Sequence, residues 1–275
     1  MSGTAIVFLT HAWTPAVARR FERLWRETSS FADCYLLLQD DDAEVLSLWQ
    51  STLQDFGATG AMFRFSSATL PTQLGLRYFG LRDVLSNAHF PLMLFARAHP
   101  HTHYWQVEHD VEYRGPWHEF FDAYRDSDSA LLAAHFHKWA DWPEWMWWPS
   151  ITTPQQVKVP ADSLYKAFMP VVRLSQRALQ DVEQAHRQGW MGHFEALVPT
   201  VLLMNGHKLE DLNVRRPCYI GGFQDPIPLL PLLSTLRCRP PVDIGEFCNR
   251  GQGALLFHPV KDAWTFDGKE VKLIQ

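Results

Sequence analysis

The sequence predicts an α/β fold with a mostly parallel central sheet flanked by helices. Apolar runs that are typical of buried strands alternate with helix-like segments between Thr4 and Phe65. This strand–helix–strand order is typical of parallel sheets with right-handed crossovers. In addition, 47% of the 275 residues are hydrophobic, which is enough to bury a substantial core.

Each strand is predicted from a short apolar or alternating run, and each helix from a longer run with a start signal. In the first half of the chain, strands are predicted over residues 4–10, 34–38, 61–65, 104–111 and 130–136. Helices are predicted over residues 14–27, 43–56, 89–98 and 117–125. The first helix has the clearest start, because Pro15 follows Thr14 and proline is favoured in the first helical turn.

The second half of the chain is less regular. Helices are predicted over residues 174–187 and 195–205, although Pro199 interrupts the second, and a short strand over residues 254–258. Five tryptophans lie among prolines and acids between Trp139 and Trp148, and we expect a loop there. Their rings would pack against one another, or would offer flat amphipathic surfaces to a sugar or a lipid interface.

Composition and motifs exclude several classes of function. The net charge is -5, with acids and bases interspersed, so we expect no nucleic-acid partner, which would need a basic stripe. No apolar run reaches 18 residues and none resembles a signal peptide, so we expect a cytoplasmic protein without a transmembrane segment. The four cysteines form no C-x-x-C pair, which indicates reduced thiols. Glycine-rich nucleotide motifs, the G-x-S-x-G elbow and H-E-x-x-H are absent.

The most informative segment is residues 104–113, whose side chains alternate in character. Read as a strand, it directs His109 toward the core and gathers four polar side chains on its other face: Gln106, Glu108, Asp110 and Glu112. Glu108 and Asp110 would then lie about 6.5–7 Å apart along the chain. A divalent cation such as Mg²⁺ takes one or two such carboxylates, although an exposed acidic strand end has the same spacing. Glu112 is expected to take no part.

Two basic residues near the C-terminus are further candidates. His258 ends the last predicted strand and Lys261 follows it. The imidazole could bind a cation, and the ammonium group could neutralise phosphate oxygens. From the spacing alone, a histidine that caps or packs is the simpler interpretation.

Other side chains could supply acid–base or metal chemistry. Glu195 lies among aromatic and apolar residues, and a partly desolvated carboxylate suits a general base. It would equally suit the first turn of a helix, where the dipole favours an acid. His135 and His137 alternate at the end of a predicted strand, which keeps a two-metal site open as an alternative.

Taken in order, several of these segments resemble a GT-A glycosyltransferase. They are the opening strand through His11, the acids 40–42 after the second strand, Glu108-His109-Asp110, the segment around Glu195, and residues 258–261. The resemblance covers most of the chain. It is to poorly characterised GT-A-like families, and more distantly to the core-2/I-branching enzymes. It implies a nucleotide-diphospho-sugar transferase fold and an acidic motif that holds a divalent cation against the donor diphosphate.

The resemblance also implies roles for individual residues. Asp110 would contact the metal, and Glu108, which stands where the family motif has aspartate, would act through water or the ribose. The remaining assignments are His258 as a third metal ligand, Lys261 as a diphosphate contact, Thr10 and His11 in the nucleotide pocket, and Asp40 or Asp41 near the base or ribose. Some related branching enzymes use basic residues instead of a metal, and Lys261 would serve either scheme.

The resemblance implies a single domain over residues 1–275, with a nucleotide-sugar-binding half (1–115) and an acceptor-binding half (116–275). We expect transfer of a sugar, from a UDP-sugar with Mn²⁺ or Mg²⁺, to a hydroxyl of a glycan or glycolipid, in the setting of polysaccharide biosynthesis. An inverting reaction would need a base, for which Glu195 is the first choice and Asp211 the reserve. The tryptophan loop could contact a membrane surface peripherally.

Two other functions remain open at this point. A protein with the same fold could bind a nucleotide or a sugar without catalysis, in which case the tryptophan loop would bind glycan and Glu195 would not matter. A metal-dependent phosphohydrolase could use the same acids, although two-metal hydrolases need more ligands on one site.

Overall fold

The computed structural model describes residues 3–80, 84–154, 157–221 and 234–274. The strands are β1 (Thr4–Thr10), β2 (Asp33–Gln39), β3 (Met62–Phe65), β4 (His103–Glu108), β5 (Glu112–Tyr113), β6 (Leu131–Lys138), β7 (Tyr165–Ser175), β8 (Leu209–Asp211), β9 (Leu256–Phe257), β10 (Trp264–Phe266) and β11 (Val271–Leu273). The α-helices are α1 (Pro15–Thr28), α2 (Ala43–Asp55), α3 (Leu70–Leu74), α4 (His89–Ala98), α5 (Trp117–Asp122), α6 (Gln176–Arg187), α7 (Phe194–Met204) and α8 (Ile244–Asn249).

The predicted α/β class with a mostly parallel central sheet is confirmed. Seven strands form one sheet in the order β3-β2-β1-β4-β7-β6-β8. β1 runs parallel to β2, and β6 runs parallel to β8 but antiparallel to β7. Among the described residues, no helix is both long enough and apolar enough to cross a membrane.

The chain divides into two compact units, each built from separate stretches. The first unit consists of Ala5–Arg64, Gln106–Ser127 and Leu212–Gln275. The second unit consists of Met1–Thr4, Phe65–Trp105 and Asp128–Asp211. The single domain expected from the sequence, with its boundary near residue 115, stays a prediction.

The first unit begins as the sequence predicts, because its local signals are strong. β1 is apolar from Ala5 to Leu9 and is buried from Ala5 onward. Thr14 caps α1 by accepting a hydrogen bond from the Val17 amide at 3.2 Å, and Pro15 occupies the first turn. Asp42 caps α2 in the same way. These helix starts coincide with the predicted ones to within one residue.

The strand predicted over residues 104–111 ends earlier than expected. β4 stops at Glu108, and a turn follows in which the Val111 amide donates to the Glu108 carbonyl at 3.1 Å. The chain then forms β5, which pairs antiparallel with β9. The alternation of side chains therefore does not extend to Asp110 and Glu112, because the backbone turns between them and the strand.

The second unit contains the largest departure from the sequence prediction. β7 is an 11-residue strand, and the sequence did not predict it because Lys166, Pro170 and Arg173 interrupt its apolar pattern. Its last residues were assigned to the next helix, which begins two residues later than predicted, at Gln176. The predicted helix around Pro199 is confirmed as α7, which tolerates the proline inside it.

The tryptophan segment of the second unit is a packed cluster with two short 3₁₀ turns. Trp145 and Trp148 are buried, with ring centroids 5.0 Å apart, and the Trp148 indole donates to the Trp142 carbonyl at 2.8 Å. The Lys166 ammonium lies 5.0 Å from the centroids of both Trp142 and Trp145. Trp139 is 39% exposed. The packed interpretation therefore holds for most of these rings.

Candidate metal site

Three potential metal ligands converge in the first unit: Glu108, Asp110 and His258. Each offers one ligand atom, and these atoms all lie within 4.8 Å of one another. Over the described ranges, this is the one group of three or more such side chains. We refer to Glu108, Asp110 and His258 as the acid–histidine trio.

Backbone pairing explains why residues so distant in sequence meet. β5 pairs with β9, with Glu112 opposite Phe257, so His258 follows directly from a paired residue. The Val260 amide then donates to the Asp110 carbonyl at 2.8 Å. An aromatic core that contains Phe247, Phe257 and Trp264 packs beneath this C-terminal segment. The two segments that carry the trio are therefore fixed by hydrogen bonds and by packing.

The trio lies where the sheet order predicts a ligand. β2 and β4 lie on either side of β1, and the His109 amide donates to the Leu9 carbonyl at 3.1 Å, just beyond the end of β4. In open α/β sheets, ligands bind outside the carboxyl ends of the strands, at the point where the strand order reverses. β1 and β4 form such a point, and their carboxyl ends lead into His11 and Asp110.

The hydrogen bonds of His258 orient it toward the two acids. Its Nδ1 donates to the Arg237 carbonyl at 2.8 Å, which leaves Nε2 3.2 Å from Asp110 Oδ1 and 3.5 Å from Glu108 Oε2. Metal-binding histidines commonly donate their other ring nitrogen to a carbonyl in this way. The Arg237 guanidinium in turn pairs with both carboxylate oxygens of Glu246, at 2.5 and 2.6 Å.

His258 and Asp110 strongly shift each other's pKa, and Glu108 adds to the shift at His258. Burial acts to lower the pKa of His258, but hydrogen bonds and charge from Asp110 and Glu108 raise it to about 10. Burial acts to raise the pKa of Asp110, but the His258 hydrogen bond and charge hold it well below its usual range, with help from Lys261. The two acids thus stabilise positive charge between them, as a cation site must.

Lys261 adds a second positive charge beside the trio. Its ammonium group lies 3.1 Å from Asp110 Oδ2, and the side chain is 61% exposed. It also borders an open depression of about 480 Å³, whose other lining residues include Asp243, at the start of α8, and Trp264. A substrate phosphate that reached the trio would therefore meet an accessible ammonium group.

The donor set fits a divalent cation. Two carboxylates suit Mg²⁺ or Mn²⁺, and an imidazole favours a transition metal over Mg²⁺. One oxygen of each carboxylate lies within 4.8 Å of the other and of a His258 ring nitrogen, although a turn after Glu108 separates Asp110 from the strand. The donors are therefore of the kind that binds such a cation, and their role as metal ligands stays a prediction.

The residues predicted to bind the nucleotide all contact neighbouring protein groups. His11 is exposed, and its ring meets that of His109 edge-on with centroids 4.9 Å apart. Thr10 is almost fully buried, and its hydroxyl both donates to and accepts from the Ala12 backbone. Asp40 pairs with Arg64 at 2.7 Å, and Asp41 accepts from the Gln39 side chain. Their assignment to a nucleotide pocket stays a prediction.

The two predicted bases belong to the second unit. Glu195 lies in the first turn of α7, is half-buried, and accepts a hydrogen bond from the Met169 amide at 3.4 Å. Asp211 ends β8 opposite Ala133. Their catalytic roles stay predictions. His135 and His137, which supported a two-metal alternative, are part of no group of three ligands among the described residues.

Sequence reasoning did not anticipate the burial of Glu112, which was expected to take no part in the site. Its side chain is 1% exposed and pairs with Arg20 at 3.4 Å and with Arg23 at 3.0 Å. Both arginines lie on α1 and are themselves buried. One sequence signal could have found Arg20: with Val17, Phe21 and Leu24 it occupies the i, i+3, i+4, i+7 stripe that faces a core.

Comparison with known proteins finds solved structures whose backbone is partly similar to that of this chain. No family model and no curated protein matches the chain. Similar solved structures include the galactosyltransferase LgtC, which is 11% identical, with a TM-score of 0.41 over 75% of this chain and 72% of that one. An inositol-1-phosphate CTP transferase from T. maritima is 10% identical, with a TM-score of 0.42 over 77% of this chain and 86% of that one. A candidate glucose-1-phosphate thymidylyltransferase from Bacillus anthracis is 7% identical, with a TM-score of 0.43 over 76% and 86%.

Proposed function

We propose that the protein is a glycosyltransferase that moves a sugar from a nucleotide-sugar, most simply a UDP-sugar, to a hydroxyl of a glycan or glycolipid. One observation carries the proposal. Two acids, a histidine and a lysine from segments about 150 residues apart converge at the carboxyl ends of β1 and β4. This arrangement suits a diphosphate leaving group, because it supplies both a cation site and an accessible ammonium group.

The proposed role of each residue follows from its position in the site. Asp110, Glu108 and His258 would hold Mn²⁺ or Mg²⁺, which when bound supplies positive charge against the donor diphosphate. Lys261 contributes a further charge that needs no metal. When no cation is bound, the protonated His258 and Lys261 leave the site with two positive groups beside two acids. The same residues therefore also support a metal-free scheme.

The acceptor hydroxyl requires a base if the reaction inverts configuration. We assign this role to Glu195, with Asp211 as the reserve. Glu195 is half-buried, and its carboxylate accepts a hydrogen bond from the Met169 amide, which helps to fix its orientation. A retaining reaction would not need this base in the same way.

The test is turnover of nucleotide-sugars by the purified chain with Mn²⁺, measured as nucleoside diphosphate release. Asp110→Asn should reduce turnover at least 100-fold, because it removes one ligand charge and uncouples His258. Asp55→Asn, an exposed acid at the end of α2 in the same unit, should leave it unchanged. If the wild-type protein acts on no common nucleotide-sugar and Asp110→Ala binds nucleotide unchanged, the proposal fails.

The rival is a protein that binds nucleotide-sugars without catalysis. Turnover by the wild type, followed by its loss in Glu195→Gln, separates the two. A glycosyltransferase should lose transfer to the acceptor while its nucleotide affinity is kept. A binding protein should show no turnover in either form.

A further inference from the structure

Arg20 on α1 connects the two segments that carry the acid–histidine trio. It is 3% exposed. One terminal nitrogen donates to the His109 carbonyl at 3.2 Å. The other donates to the carbonyls of Lys261, at 3.0 Å, and Trp264, at 3.1 Å. A single planar guanidinium thus bonds to backbone on both sides of the trio.

The bonded carbonyls lie directly beside the trio in sequence. His109 is the residue between Glu108 and Asp110, and Lys261 comes three residues after His258. Apart from the direct bond between the Val260 amide and Asp110, Arg20 provides a rigid second connection between the same two segments. Its hydrogen bonds therefore fix how far the acids stand from the histidine.

Glu112 fixes the orientation of Arg20. One oxygen of Glu112 lies 3.4 Å from Arg20 Nε and also accepts the Phe266 amide at 3.3 Å. The other oxygen accepts from Arg23 at 3.0 Å. A buried arginine without a partner would be strongly unfavourable. The ion pair therefore keeps the guanidinium inside the unit, where it reaches the carbonyls beside the trio.

We propose that Arg20, oriented by Glu112, is a positioning residue that sets the spacing of the acid–histidine trio and thereby its affinity for a divalent cation. The proposal rests on the function proposed above, in that the trio binds a cation. A cation needs its ligands at fixed distances of about 2.0–2.2 Å. Residues that orient metal ligands typically change metal affinity about 10- to 100-fold when they are removed.

Arg23 provides a matched control within the same helix. It lies three residues after Arg20, is also buried, and pairs with the same Glu112. Its backbone bonds go instead to Tyr113, at 2.9 Å, and to Gly115, and its guanidinium covers the Phe266 ring. Both arginines thus pair with Glu112, but among the contacts of the described residues Arg23 donates to no carbonyl of residues 108–110 or 258–264.

The experiment compares Arg20→Lys with Arg23→Lys in the full chain. Mn²⁺ affinity is measured directly by electron paramagnetic resonance, and Tm is measured for each variant. We expect Arg20→Lys to weaken Mn²⁺ binding at least 10-fold and Arg23→Lys to change it less than 3-fold, with comparable losses of Tm. In turnover assays, saturating Mn²⁺ should restore kcat to Arg20→Lys, because the defect lies in ligand spacing.

Equal effects of the two substitutions on Mn²⁺ affinity, or no effect of either, would overturn the role of Arg20. If Arg20→Lys does not fold, Glu112→Gln replaces it, since it keeps the shape of the side chain and removes the charge that orients Arg20. Unchanged Mn²⁺ affinity in a folded Glu112→Gln would overturn the proposal as well. Failure of the proposed function is seen separately, in a wild-type protein whose Mn²⁺ binding is absent or insensitive to Asp110→Asn.

Discussion

The two units both bury histidines, but they use them in opposite ways. In the first unit, His258 faces two carboxylates, which raise its pKa to about 10. In the second unit, the Nε2 atoms of His89 and His186 lie 2.8 Å apart among aromatic rings, and burial lowers the pKa of His186 to about 4. Because both histidines are buried, the difference teaches that neighbouring carboxylates can outweigh the effect of burial on the charge of an imidazole.

The aromatic residues show the same contrast. The tryptophans of the second unit mostly pack against each other, and the His193 ring stacks on Trp147 with centroids 4.5 Å apart. In the first unit, Trp264 and Phe247 belong to the aromatic core that packs beneath the segment carrying His258 and Lys261. Both sets of rings stabilise their unit by packing. In the first unit, the rings also hold in place a segment whose Lys261 side chain is largely exposed.

A substitution in the tryptophan cluster is expected to have the largest effect on stability, and it tests this comparison. Trp148→Ala should lower the free energy of unfolding by about 3–5 kcal/mol, because it removes a buried ring and leaves a cavity. Its Mn²⁺ affinity should not change. Urea unfolding checks the first expectation and a metal titration the second. Trp139→Ala, at the exposed end of the segment, is the control and should cost less than about 1 kcal/mol. A large loss of Mn²⁺ affinity in a folded Trp148→Ala would break the comparison.

A second test uses the pH dependence of stability. The pKa of His186 is lowered to about 4 in the folded state, and that of His89 is also lowered, both by burial. The unfolded chain binds these protons near pH 6.5, so stability is fully present above that pH and is lost as pH falls toward 4. Each histidine should contribute a slope of up to about 1.4 kcal/mol per pH unit.

His186→Gln should reduce that slope, as measured by urea unfolding at several pH values between 4.5 and 7. His118→Gln, which replaces an exposed histidine of the first unit, is the control and should leave the slope as it is. If both variants keep the wild-type slope, the protonation states assigned to the buried pair are wrong.

The smallest effect on stability is expected at Lys261. Lys261→Gln should weaken UDP binding about 10-fold, because it removes an accessible charge beside the site, worth about 1.4 kcal/mol. It should change the free energy of unfolding by less than about 1 kcal/mol, since the ion pair with Asp110 is largely exposed on the lysine side.

The comparison variant is Lys272→Gln, whose ammonium also pairs with an acid of the first unit, Asp267, at 2.6 Å. It should leave UDP binding unchanged in calorimetry. A Lys261→Gln protein that binds UDP as tightly as the wild type would remove the lysine from the proposed site.

How much of the fold could be predicted depended on how local its signals are. β1, α1 and α4 were predicted almost to the residue, since their apolar patterns and start signals lie within the elements themselves. β7 was missed because its strand character depends on pairing with β6, which is irregular and contains His135 at a left-handed φ of 52°. Such pairing is not encoded in a short window of sequence.

The candidate site divides in the same way. Glu108 and Asp110 could be found from one short segment. His258 and Lys261 were candidates from their place at the end of the last predicted strand, and only the structure brings them next to Asp110. Arg20 was missed because its carboxylate partner, Glu112, lies 92 residues away. A charged residue on a helix is ordinarily solvated, so the position of Arg20 on the apolar stripe of α1 was a weak local signal of its burial.

The sequence by itself therefore determined the α/β class, most helices and strands of the first half, and the acids of the candidate site. Only the tertiary structure decided that the strand turns after Glu108, that β9 pairs with β5, and that a buried arginine bonds to both segments of the trio. The physical reason is the range of the interactions. Periodicity and capping act within a few residues, whereas the charge and spacing of the trio come from residues that meet only when the chain is folded.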